Sequence, residues 1–130
     1  MFTSIKTSES NRILVSELTH KLGLGPENIV ARIALAYSLS KNIKYDLSNI
    51  KDSRGKEYSK AVLFGQYSDF YIGLISQFYG IYKTDKDIPK YIKIHIDEGL
   101  LLLNRDFQSK KNLSGFDFLI QLIDNGLKIN

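Results

Sequence analysis

Gly23-Leu24-Gly25-Pro26-Glu27-Asn28-Ile29-Val30-Ala31-Arg32-Ile33-Ala34-Leu35-Ala36-Tyr37-Ser38-Leu39 holds both a helix break and a helix start. Two glycines disfavour continuation of one helix, and proline is tolerated in the first turn of the next. The stretch therefore predicts a helix ending near Leu22 and a second beginning near Pro26. In the second helix Ile29, Val30, Ile33, Ala34 and Tyr37 share a face by their spacing, with Leu35 and Leu39 adding apolar surface elsewhere. A helix apolar on most sides is expected to be buried by the rest of the domain or by a second subunit. Asn28 and Arg32, four residues apart, share a face near the helix entrance. Free backbone N–H groups and a partial positive charge make such an entrance favourable for a phosphate.

The chain has 130 residues, 43% hydrophobic and 25% charged, which is ordinary for one globular domain with a proper core. It contains no cysteine, so disulfides, thiolate catalysis, zinc–thiolate sites and iron–sulfur ligation are excluded. No apolar run approaches a membrane span and the Met-Phe-Thr-Ser-Ile-Lys start lacks a leader's apolar core, so the expected location is the cytoplasm, away from any membrane. The formal charge is +4. Residues 1–44 carry six basic and three acidic side chains, residues 45–66 four and three, and residues 67–130 eight of each, so the surplus lies in the first half. A localised positive field fits a polyanion.

Phe2–Thr7 is rich in β-favouring residues and predicts a short strand or an arm. Ser8 is a candidate cap for a first helix with Leu14, Val15, Leu18 and Leu22 inward. Residues 42–66 show no helical period and read as an irregular connection contributing Lys51, Arg54, Lys56 and Lys60. From Tyr67 the period returns, with Tyr67, Phe70, Tyr71, Leu74, Ile75 and Phe78 at core spacing and Gly80 as a stop. Asp87 is expected to cap a further helix, with Pro89 in its first turn and Ile92, Ile96, Leu100 and Leu103 inward, while Leu101 and Leu102 fall off that face. A last helix is predicted from Ser114 to near Gly126, burying Phe116, Leu119, Ile120 and Ile123.

No site chemistry emerges for catalysis. His20 and His95 belong to no ligand-spaced pair, Asp97 and Glu98 point to different sides of a helix, and phosphate-binding glycine loops and a serine elbow are absent. The expectation is a protein with no enzymatic activity, no cofactor and no metal. Lys83, Lys86, Lys90 and Lys93 recur at helical spacing, but Asp85, Asp87 and Pro89 interrupt them and a solvated face is expected. The better basic locus is Lys21, Asn28 and Arg32 at the turn, joined by Lys6 and Lys41 if the arm and the far end of the second helix fold nearby.

The arm, the amphipathic helix and the Gly-x-x-Pro-x-Asn turn leading into Asn28-Ile-Val-Ala-Arg-Ile-Ala-Leu resemble the ribbon-helix-helix class of DNA-binding proteins. Gly23–Leu39, then Leu63-Phe-Gly-Gln-Tyr with the aromatic helix, then His95-Ile-Asp-Glu-Gly-Leu, together resemble the DndE family of the DNA sulfur modification system over roughly residues 5 to 105. The resemblance implies a mainly α fold, with a ribbon-helix-helix-like part at 1–41, the connection at 42–66 and about three helices in 67–130. It also implies an accessory protein of DNA phosphorothioation, a homotetramer that binds duplex and nicked DNA and works with other sulfur-modification proteins. On matching positions Gly23, Pro26, Asn28 and Arg32 are carried over; Gly25 stands where the pattern has threonine, so a hydroxyl that would cap the helix or meet a phosphate is missing. The expected DNA-binding set is Lys6, Lys21, Gly23, Gly25, Pro26, Asn28, Arg32 and Lys41. Two rival readings are a ribbon-helix-helix repressor reading an operator and an assembly scaffold that contacts only protein.

Overall fold

In the computed structural model, residues 2–108 are described, together with 117, 120, 121 and 123–125. The elements run β1 (Ser4–Lys6), α1 (Ser10–Leu22), α2 (Glu27–Ser40), β2 (Glu57–Ser59), α3 (Lys60–Phe64), α4 (Ser68–Tyr79) and α5 (Ile88–Gln108). The fold is mainly α, as the sequence predicts. Helix α5 runs through the centre; α2 lies along it, and α1 and α4 pack beside the pair.

The approach of α2 to α5 is set by two small residues. A Cβ built on Gly99 would sit 1.9 Å from the Ala34 carbonyl oxygen, so the two backbones touch there. Around that point Val30, Ala31 and Leu35 meet Ile92, Ile96, Leu100 and Leu103, all buried. The buried stripe of α2 is Val30, Ala31, Ala34, Leu35 and Ser38. It is turned by about one residue from the expected face, leaving Ile29 and Ile33 half-buried and Leu35 fully inside. Close backbone packing favours small side chains at the contact, and so the alanines, not the large residues, define the seam.

Helix α4 departs from expectation in the same way. Ile72 and Ile75 are its buried positions, whereas Tyr67 and Phe70, expected in the core, are 51% and 60% exposed. The stop at Gly80 holds, with φ of 65°.

The N-terminal segment does form a strand, paired antiparallel with β2 of the same chain, Ile5 opposite Tyr58 and both inward. The expected irregular connection thus contains β2 and α3. Ser8 does not cap α1 with its side chain: its hydroxyl meets that of Ser10 at 3.1 Å, and its N–H donates to Asp97 Oδ1. The Asp87 carboxylate pairs with Lys90 at 3.5 Å. Of the last predicted helix, Phe116 and Leu119 lie outside the described residues; Ile120 and Ile123 are helical but exposed, not buried.

Two buried polar groups tie the helices together. Asp97, 1% exposed, takes the Lys93 ammonium on Oδ2 at 2.9 Å and the Asn11 amide and Ser8 N–H on Oδ1. Lys93 also donates to the Asp52 carbonyl at 2.6 Å. A buried pair is tolerated when both charges are hydrogen-bonded, and here Asp97 accepts from three groups and Lys93 donates to two. His95 on α5 meets the Ser38 hydroxyl of α2 at Nδ1 (2.8 Å) and the Tyr79 hydroxyl of α4 at Nε2 (2.5 Å). Burial pushes its pKa down to about 4.

Two outcomes follow. Gly99→Ala must force α2 and α5 apart, and is expected to cost about 2–3 kcal/mol and to lower Tm by roughly 10 °C, a comparison that thermal unfolding makes directly; an unchanged Tm would refute the seam. For His95, the folded state resists a proton that the unfolded chain accepts below its ordinary value of 6.5. Stability is therefore full above that value and falls as pH drops towards about 4, by up to about 3 kcal/mol. Denaturant titrations across that window should show a shallower pH dependence for His95→Gln than for the wild type, and equal slopes would remove the assignment.

Candidate nucleic-acid interface

The turn between α1 and α2 is built by backbone geometry. Gly23 closes α1 in the left-handed region, with φ of 66° and its N–H donating to the Thr19 carbonyl. Gly25 has φ of 90°. Neither position is crowded, so positive φ is what calls for glycine at both. Leu24 between them packs against the core and anchors the turn. Pro26 then enters α2 with φ of −72°, and no side chain caps the helix start.

Gly23, Gly25, Pro26 and Lys21 are all exposed. Glu27, in the first turn of α2, accepts from the Ser16 hydroxyl at 2.8 Å and pairs with Lys56 at 3.4 Å, so its charge is compensated. Asn28 and Arg32 share a face as expected, but they turn towards α3: the Asn28 amide donates to the Val62 carbonyl at 2.9 Å and Arg32 Nε to the Leu63 carbonyl at 2.7 Å. These carbonyls belong to the last turn of a five-residue helix, which has no helical partners for them. Asn28 and Arg32 therefore hold α3 in place.

Lys6 and Lys41 do not join the turn. Lys41 follows the far end of α2, about 20 Å along a helix of this length, with its ammonium 3.9 Å from Asp106 and over the Tyr37 ring. Lys6 lies on β1, on the wall of a cleft with Lys51, Lys90 and Lys93. Lys6 and Lys51 carry no local signal of their meeting, since the two sit on segments 45 residues apart that come together only when β1 finds β2.

The remaining chemistry is sparse. Among the described residues no three histidine or carboxylate side chains gather as a metal site, and no helix is long and apolar enough to cross a membrane. His20 is exposed in the last turn of α1. His95 is enclosed by Tyr45, Phe78 and Tyr79.

Comparison with known proteins points one way. The fold is similar to crystal structures of DndE from Escherichia coli B7A, involved in DNA phosphorothioation modification, at 18% identity and a TM-score of 0.65. It is also similar to a glycine-to-lysine double mutant of DndE, at 19% identity and a TM-score of 0.67. Each alignment covers 79% of this chain and 98% of the other. No curated protein matches the chain. The model of the family described as DNA sulphur modification protein DndE matches residues 4–111, and the chain belongs to the DndE family.

Proposed function

We propose that this protein is a non-catalytic, DNA-binding component of the phosphorothioation machinery. It acts in the cytoplasm as a homotetramer that holds intact or nicked duplex by its phosphate backbone and leaves the sulfur chemistry to other proteins of the system. Membership of a DNA-modification family supplies the context. The observation that carries the reading is the open α1–α2 turn, where the uncapped start of α2 and the exposed Lys21 face solvent together. The absence of cysteine agrees with a role beside the sulfur transfer rather than in it. Gly23, Gly25 and Pro26 let a phosphate approach the backbone, with Lys21 as the cation; Asn28 and Arg32 support the platform from behind.

A ribbon-helix-helix repressor is less favoured, because β1 is only three residues long and already lies beside β2 of its own chain. A protein-only scaffold has one observation on its side, the exposed Val62, Tyr67 and Phe70 around α3 and α4.

Fluorescence anisotropy with intact, nicked and single-stranded DNA over a range of salt tests the reading. Binding should tolerate changes of sequence, and log affinity should fall linearly with log salt. Lys21→Ala, which breaks no ion pair among the described residues, should lower that slope by about 0.9, one phosphate contact. A wild-type protein that ignores all three DNAs at low salt would leave the scaffold reading.

A further inference from the structure

We infer that a second phosphate-binding site lies in the cleft between β1, the segment after α2 and the start of α5, and that it takes the phosphodiester backbone of a DNA strand. The inference deepens the DNA-binding reading above and rests on it.

The cleft has a volume of about 480 Å³ and is walled by Lys6, Lys51, Lys90 and Lys93, with Ile50 and Pro89 among its apolar parts. Three segments far apart in the chain deliver these four lysines to one concavity. Lys6 and Lys51 make no ion pair among the described residues. Lys90 pairs with Asp87 at 3.5 Å in a solvated geometry that exchanges readily with another anion. Lys93 is committed to Asp97 and adds no net charge.

Two carboxylates stand near these lysines: Glu57, opposite Lys6 across the β1–β2 pair, accepts from the Ser4 hydroxyl, and Asp52, which stays ionised, lies 4.0 Å from Arg54 Nε. Asp52 Oδ1 accepts from the N–H groups of Glu9 at 2.9 Å and Arg54 at 3.0 Å, and these bonds hold its carboxyl below the usual carboxylate range. Like charges gathered in a concave site focus their field more than they would on a flat surface. The apolar wall of Ile50 and Pro89 suits the deoxyribose between phosphates, which a free inorganic ion lacks. Helix α1, 13 residues long, separates this cleft from the α1–α2 turn by about 20 Å. At about 3.4 Å of axial rise per base pair, that separation corresponds to roughly six base pairs along the duplex axis.

The test compares the wild type, Lys21→Ala and the double variant Lys6→Ala/Lys51→Ala in salt-dependent binding to a labelled duplex. The double variant should lose about tenfold in affinity at low salt and about 1.8 in slope, two phosphate contacts. If it keeps the wild-type slope while Lys21→Ala lowers it, the cleft is wrong and the DNA-binding reading stands. If the wild type itself fails to bind, both fall. Acetylation footprinting of the wild-type protein provides a check that needs no variant: duplex should shield Lys6 and Lys51, and inorganic phosphate at equal phosphate concentration should not. Equal shielding by both would make this a free-phosphate site and overturn the strand assignment.

Discussion

The contact of Gly99 with the Ala34 carbonyl fixes the distance between α2 and α5, and most of the molecule takes its position from that pair. Helices approach closely only where the residues between them are small, and the larger side chains above and below then interlock. Here Ala31 and Ala34 on α2 face Gly99 on α5, while Leu35, Ile96, Leu100 and Leu103 fill the space to either side. The start of α2 carries the α1–α2 turn, and its end carries Tyr37, whose hydroxyl bonds Asp106 on α5. Both ends of the helix are therefore placed by one seam.

Hydrophobic packing alone would not fix how the N-terminal segment sits on this seam. The Asp97 carboxylate does so, by accepting from Ser8, Asn11 and Lys93 at once, while Lys93 reaches the Asp52 carbonyl. A buried charge left without one of these partners would be strongly unfavourable, so the network admits few arrangements. Gly55 completes it: a Cβ there would lie 2.1 Å from the Ser8 carbonyl oxygen, so the loop is pressed against the chain entering α1. This is why Lys6 and Lys51 end beside the start of α5.

The existence and punctuation of α1, α2 and α4 were legible in the sequence, because Gly23, Pro26 and Gly80 act through local backbone preferences, whereas the five-residue α3 was not. The inner face of α5 was legible too, since Ile92, Ile96, Leu100 and Leu103 are large and evenly spaced. Rotation was not. In α2 and α4 apolar residues occupy most of the circumference, so the periodicity does not choose a face, and backbone proximity to Gly99 chose the alanines of α2. Strand β2 was hidden because a three-residue strand has no period to detect, and its partner lies far off in the chain, with Ile5 opposite Tyr58. The sequence placed Asn28 and Arg32 on one face and in a DNA-binding role, whereas the acceptors they meet are α3 carbonyls that only the tertiary fold presents.

The division of labour among the cations bears on what kind of binding the fold can support. All four arginines are bonded within the chain: Arg12 to the Arg54 and Gly55 carbonyls, Arg32 to Leu63, Arg54 to Glu9 and Arg105 to Asp106. A planar guanidinium is the side chain suited to two-point recognition of a guanine edge; here Arg12 and Arg32 turn donors to loop and helix-end carbonyls, and Arg54 and Arg105 each bond a carboxylate through Nε. Lys6, Lys21 and Lys51, which make no ion pair among the described residues, are flexible point charges. Ammonium groups of that kind attract phosphates without favouring a base. On the proposed reading, tolerance of sequence thus arises from the ammonium groups at the surface, which meet phosphates without favouring a base.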